Sequence, residues 1–337
     1  MAAQVNARVR LIDIAAKANV SKMTVAHVLH GTGGANVRVS PETAQRVKQI
    51  ADGMGYQPNK LAQKLAGGKS HTLGVIIDSH APLTNLQTMQ YIERAAASQG
   101  YRVMVSQMHD DPDTLVSNYH DLIRHGVDGV ICVSHDYPQL GDSHYASLSL
   151  EKNLVFLGQP QLTHMPYVAI RHDLGIMQAV EHLQKLGRQR IGIHMYTTGS
   201  HAMKQRLTGY QQAIQQSDST QESLIYQTPK LDQPAQLKEQ AQSIARDFVI
   251  AQKLDAFIAS NDLAAGHLIK ALKSQGVLVP DDVAIIGQDN REFCECFSPA
   301  ITTLDHNSQQ QAQAIVTLCL NLIQGDVWTK ASSPLMV

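Results

Sequence analysis

The chain predicts an α/β protein, a small helical head followed by a two-lobed body of doubly wound parallel sheets. Three observations lead there. Two short helical patterns flank a tight turn near the N-terminus, the charge changes sign along the chain, and past Lys69 short apolar runs alternate with helical stretches.

The head comes first. In residues 11–31, LIDIAAKANVSKMTVAHVLHG, Ile12, Ile14, Ala15 and Ala18 supply the apolar face of one helix, and Asn19-Val20 ends it. Ser21 is placed to cap a second helix whose Val25, Val28 and Leu29 face inward. Helices joined this way form a helix-turn-helix, whose second member enters the DNA major groove. The pattern alone also suits a helical hairpin in an ordinary core. Charge separates the two readings. Residues 1–70 hold ten basic and three acidic side chains, a charge of +7, whereas the remaining 18 basic and 26 acidic residues leave −8 on the body. A basic head attracts the phosphate backbone.

In the body, apolar runs at 73–77, 101–106, 128–134, 153–158, 190–195, 224–228, 255–260 and 282–287 read as strands buried on both faces, with a weaker one at 168–170. Helices are expected near 86–99, 112–125, 173–186, 202–216, 235–252, 262–275 and 308–323, so the strands pair in parallel. The series divides into lobes of about 71–170 and 171–300, with a C-terminal crossover over 301–337 in which 301–304 is expected to start the return. In such sheets ligands bind beyond the carboxyl ends of the strands.

Several function classes lose support. No strand leads into a dinucleotide or phosphate-binding glycine motif, and Gly67-Gly68-Lys69-Ser70 lacks the upstream glycine. The four cysteines, Cys132, Cys294, Cys296 and Cys319, have neither a disulfide framework nor paired zinc spacing. Sixteen scattered histidines include no His-Glu-x-x-His. We therefore expect no metal, no cofactor and no catalytic residues. No apolar run reaches membrane-span length, and MAAQVNARVR lacks the apolar stretch of a secretory signal. The expected compartment is the cytoplasm, with no membrane partner.

At this point several motifs occur in one order: Leu11-Ile12-Asp13-Ile14-Ala15, Val20-Ser21-Lys22-Met23-Thr24-Val25, Val39-Ser40-Pro41-Glu42-Thr43, Gly55-Tyr56-Gln57-Pro58-Asn59 and Leu61-Ala62-Gln63-Lys64-Leu65. In the body they are Leu73-Gly74-Val75-Ile76, Arg206-Leu207-Thr208-Gly209-Tyr210, Ser260-Asn261-Asp262 and Val279-Pro280-Asp281-Asp282-Val283. With them the chain resembles the LacI/GalR family of bacterial transcriptional regulators over nearly its whole length. The resemblance implies a DNA-binding headpiece (8–58), a hinge helix and linker (59–70), and a periplasmic-binding-protein-like domain (71–337) that binds an effector and dimerises.

For DNA contact the resemblance implies Ser21, Lys22, Met23, Thr24, His27, Tyr56, Asn59 and Leu65. Lys22, Met23 and His27 fall on the helix face opposite Val25 and Val28, so they can reach base edges. For Met23, packing on its own domain is the competing use. Leu65 is a wedge of the kind that enters the minor groove. Family members commonly have serine then arginine where this chain has Ala26-His27. For effector contact the resemblance implies Asp78, Arg206, Asn261 and Asp289, whose guanidinium, amide and carboxylates can bracket the hydroxyls of a small polar ligand. A helix cap or structural ion pair is the competing use of each. Gly158-Gln159 stands where many members have an aspartate after the strand.

The expected function is a repressor of sugar or other carbon-source genes. Its partners would be double-stranded operator DNA, a small-molecule effector such as a sugar or sugar acid, and a second copy of the chain. The sequence shows no leucine heptads near 308–337, so a dimer is expected rather than a tetramer. The rivals are a solute-binding receptor and a cleft enzyme sharing the two-lobed body, neither of which needs the basic head.

Overall fold

The computed structural model describes residues 9–30, 38–56, 69–78, 83–108, 111–133, 143, 147–148, 153–160, 165–216, 222–229 and 236–328. The chain forms two compact units, Met1–His71 and Thr72–Val337.

The first unit contains α1 (Leu11–Ala18), α2 (Lys22–His30) and α3 (Pro41–Gly53). Helix α1 opens with the Arg10 amide donating to Asp13 Oδ2 at 2.8 Å, and Asn19, left-handed at φ 51°, closes it. Helix α3 starts where Ser40 Oγ accepts the Thr43 amide, with Pro41 in its first turn. The core is Ile14, Ala15 and Ala18 of α1, Val25 of α2, and Val47 and Ala51 of α3. Val28 and Leu29 are partly buried against it. Ile12, expected on the same face, is instead 54% exposed. It lies two positions from Ile14, about 200° around the helix, and so points the other way.

The second unit begins with β1 (Thr72–Asp78), α4 (Leu83–Ser98), β2 (Arg102–Met108), α5 (Pro112–Arg124), β3 (Gly129–Val133), β4 (Leu154–Leu157) and β5 (Tyr167–Val168). Then follow α6 (His172–Lys185), β6 (Ile191–Tyr196), α7 (His201–Gln216), β7 (Leu224–Thr228), α8 (Gln236–Ser243), β8 (Ala256–Ile258), α9 (Asp262–Ser274), β9 (Ala284–Gln288), β10 (Thr302–Leu304) and α10 (Ser308–Gln324). All pairing is parallel, in two sheets of order β2-β1-β3-β4-β5 and β10-β9-β8-β6-β7.

Each sheet is covered on both faces. In the first lobe, Leu115, Tyr119 and Leu122 of α5 pack on one face. Ile92 and Ala96 of α4 share the other with Ala312, Ile315, Val316 and Cys319 of α10. The return to the first lobe therefore comes later than the sequence suggested. Residues 302–304 are still an edge strand of the second sheet, paired with β9, and α10 makes the return. A three-residue strand of sequence Thr-Thr-Leu does not show which sheet it joins; the long apolar face of α10 does find its sheet. The helix expected over 235–252 is also not uniform, because α8 passes at Ile244 into a π-helical segment, Ile244–Ile250.

The motif 206–210 divides into three jobs. A Cβ on Gly209 would lie 2.2 Å from the Asp173 carbonyl oxygen, so only glycine lets α7 approach α6 this closely. The fully buried Tyr210 donates its hydroxyl to Ile191 O (2.8 Å) and accepts the Leu224 amide (2.9 Å), tying α7 to β6 and β7. That leaves Arg206 for the site. Gly158, after β4, has φ +97°, a conformation that an aspartate would adopt only with strain.

Candidate functional site

In the head, Ser21 Oγ accepts the Thr24 amide at 3.0 Å, and the two hydroxyls are 2.9 Å apart. Both residues start α2. Lys22 is exposed, Met23 is 72% exposed and therefore does not pack on its own domain, and His27 is half-buried. Tyr56 packs against the head core, with its hydroxyl 3.2 Å from His30 Nε2, so it fastens the end of α3 to the end of α2. Burial holds His30 below its ordinary pKa. Asn59, Leu65 and the whole hinge segment 59–66 lie outside the described residues.

In the body, polar side chains gather beyond the carboxyl ends of the second sheet. Tyr196 ends β6, Ser260 and Asn261 follow β8, Asp289 follows β9 and His306 follows β10. Arg206 comes from α7 and His172 opens α6. Arg206 is 8% exposed; its Nη1 donates to Ser260 O at 3.3 Å, and its Nε has no hydrogen-bond partner. Burial lowers its pKa, against the attraction of Asp289. Tyr196 accepts the Ser260 hydroxyl at 3.2 Å.

Asp289 is a strongly perturbed carboxyl. Burial pushes it up to about 7, outweighing the pull of Arg206, and it accepts a hydrogen bond from the Thr84 side chain of the first lobe. His306 Nδ1 lies 3.5 Å from Asp289 Oδ1. Burial first, then Arg206, pushes His306 down to about 3. His172 packs edge-on against His306, ring centres 5.3 Å apart, and burial with Arg206 holds it well below the usual range. Both rings are thus neutral.

The loop carrying Asp289 is held by three consecutive amides. Those of Asp289, Asn290 and Arg291 donate to Leu304 O (2.9 Å), Thr303 Oγ1 (3.1 Å) and Asp262 Oδ2 (2.7 Å). The Thr303 hydroxyl donates in turn to Asp262 Oδ1 at 2.5 Å. This clamp keeps Asp289 and Asn290 at φ +110° and +49°, a backbone that costs energy for non-glycine residues.

Three of the four expected effector residues, Arg206, Asn261 and Asp289, therefore stand at one edge of the second sheet. Asn261 Oδ1 is committed to capping α9, accepting the Ala264 amide at 2.8 Å, which leaves its NH2 to donate elsewhere. Asp78 is buried at the carboxyl end of β1 in the first lobe. The sequence reading missed Thr84, His172, Tyr196 and His306. Tyr196 and His306 follow strand ends, and that position was the available signal. Among the described residues, no group of three or more His, Cys, Asp or Glu side chains is arranged to hold a metal, and no helix is long and apolar enough to cross a membrane.

Residues 10–59 match the lacI family of bacterial regulatory proteins, and residues 180–333 match the periplasmic binding protein-like domain. The HTH-type transcriptional regulator DegA of Bacillus subtilis (strain 168) is 28% identical over 299 residues, covering 87% of this chain and 85% of that protein. The lactose operon repressor of Escherichia coli (strain K12) is 27% identical over 327 residues, covering 94% and 85%. The crystal structure of the Lac repressor dimer bound to operator and the anti-inducer ONPF superimposes with TM-score 0.79 at 25% identity, covering 95% of this chain and 94% of that one. A helix-turn-helix head on a two-lobed, periplasmic-binding-protein-like body defines a class of DNA-binding regulator. This chain belongs to the LacI/GalR family of bacterial transcriptional regulators.

Proposed function

We propose that the protein is a cytoplasmic, sequence-specific repressor of sugar or other carbon-source genes, not an enzyme, and that a small molecule held between the lobes of the body controls it. The observation that carries this reading is the pairing, in one chain, of an exposed Lys22-Met23 start to α2 with a buried, under-coordinated Arg206 at the strand ends of a two-lobed body. Lys22, Met23 and His27 read base edges, while Ser21 and Thr24 set the helix start. Asp78, Arg206, Asn261 and Asp289 contact the effector.

Two hydrogen bonds join the lobes beside the site, Thr84 to Asp289 and Arg291 Nη1 to Gln87 Oε1 (3.0 Å). A ligand that takes over the Asp289 carboxyl competes with Thr84 and resets the angle between the lobes. Strand β1, which leads into α4 and Thr84, starts at Thr72, just past the linker 59–70. A change of lobe angle thereby moves the two hinge segments of a dimer, and with them the Leu65 wedges. To weaken operator binding 100-fold, the ligand must favour the DNA-incompetent state by about 2.7 kcal/mol. Met104 and Val105 on edge strand β2 and Leu86 on α4 are exposed, a surface suited to a second copy of the chain.

Selection of duplexes from a random pool tests the reading. The expected result is one near-palindromic site with half-sites related by the dimer axis. Recovery of unrelated sequences with only salt-dependent affinity would refute it.

A further inference from the structure

We propose that the ligand of the cleft carries an anionic group, a carboxylate or a phosphate, seated on Arg206 beside the packed pair of imidazoles, His172 and His306. The inference rests on the reading of the cleft as the effector site and adds the chemistry that site selects.

The first ground is the state of Arg206. A guanidinium has five N–H donors in a planar fork. Here one of them reaches a carbonyl at 3.3 Å, Nε is buried with no partner, and no carboxylate is in ion-pair contact among the described residues. A buried cation left in this way is strongly disfavoured unless something completes its shell. Asp289 offsets that charge only in part, because burial holds its carboxyl up at about 7 against the pull of Arg206.

The second ground is the company Arg206 keeps. His172, His306, Tyr196 and Asp289 all feel its charge, so Arg206 is their common centre. Tyr196 accepts from Ser260 and keeps its own proton to donate. His172 and His306 are neutral because burial and Arg206 both oppose a second positive charge. A neutral polyol would accept hydrogen bonds here yet leave the buried charge uncompensated. An anion cancels that charge, and its bidentate geometry fits the free edge of the fork.

A consequence follows for protons. The charged and titratable groups facing the imidazoles are Arg206 and His201 from α7, Asp289 after β9, and each ring for the other. Nearby, Arg171 and Asp173 neutralise each other, and Asp262 is satisfied by Thr303 and the Arg291 amide. An anion at Arg206 cancels the field of the guanidinium on both rings and on Asp289. Binding then takes up a proton from solvent, and affinity rises as pH falls.

The test uses the full chain and a matched panel of neutral sugars, their aldonates and uronates, their phosphates, and inorganic phosphate. Thermal shift finds binders, and calorimetry at pH 6, 7 and 8 in two buffers of different ionisation enthalpy counts protons. We expect carboxylate or phosphate members, but not their neutral parents, to bind, and the two arms distinguish the anion. Affinity should rise toward tenfold per pH unit between pH 8 and 6 where one proton is taken up. Arg206→Gln should abolish binding, and His172→Gln should flatten the pH dependence. A neutral sugar binding as tightly as its acid, anion binding without proton uptake, or no binder in the panel overturns the proposal. A neutral sugar that binds and releases operator DNA would overturn the anion while leaving the regulator reading intact. Loss of sequence-specific DNA binding would do the reverse.

Discussion

Replacing Asp289 with asparagine should stabilise the protein at neutral pH while damaging its response to ligand. The Asp289 carboxyl ionises near 7 in the folded chain, against about 4 for an ordinary aspartate. Each tenfold change in ionisation constant is about 1.4 kcal/mol, so ionised Asp289 opposes folding by on the order of 4 kcal/mol above pH 7. Because the folded-state pKa is raised, this penalty is absent below about pH 4, grows as pH rises and is complete above about pH 7. Asparagine keeps the shape, tolerates positive φ and can still accept from Thr84. Allowing for relaxation around the site, Asp289→Asn should gain about 2–4 kcal/mol at pH 8, roughly 4–16 °C in unfolding temperature. The gain should fall below about 1 kcal/mol by pH 4.5. His306 works in the opposite direction as pH falls below 6.5, but it does so in both proteins and cancels in the difference. Differential scanning calorimetry across this range provides the measurement. A variant less stable than wild type at pH 8, or a gain independent of pH, would refute the reasoning.

Further outcomes follow from the same packing and site. Gly209→Ala places a methyl against the Asp173 backbone and should cost at least about 1–3 kcal/mol in denaturant unfolding. Tyr210→Phe strips the hydroxyl from Ile191 O and the Leu224 amide and should cost about 1–3 kcal/mol without changing the selected DNA site. Lys22→Ala and His27→Ala should each lose roughly 1–3 kcal/mol on the preferred operator and alter the base preferred at one position per half-site. An unchanged selected sequence would remove that residue from the reading role.

The central strands of the body were legible because they are buried on both faces, so runs such as LGVII and DVAIIG need no tertiary context, whereas the edge strand β2 exposes Met104 and Val105 and was expected to be buried. The helix-turn-helix was legible for a related reason, since Ser21 and Asn19 mark helix ends through local chemistry. Ile12 was misplaced because counting apolar residues ignores that two-residue spacing crosses the helix. The destination of β10 and the π-helical turn after α8 depend on contacts with distant elements, and no local pattern carries them. In the site, Arg206 and Asp289 were implied by the family resemblance, and only Arg206 lies in one of its motifs. Thr84, His172 and His306 join them only because two lobes and three strand ends converge. The clamp of Asp262 and Thr303 on the Asp289 loop spans residues 262 to 303 and has no sequence signature.

The most direct test of the account measures operator affinity by fluorescence anisotropy, with and without saturating effector, for wild type, Arg206→Ala and Asp289→Ala. The account predicts that effector changes wild-type affinity by at least tenfold. For an inducer, both variants should bind free operator as the wild type does and ignore the ligand; for a co-repressor, both should stay permanently weak. Variants that bind operator and respond to effector like wild type would contradict control of DNA binding through this cleft.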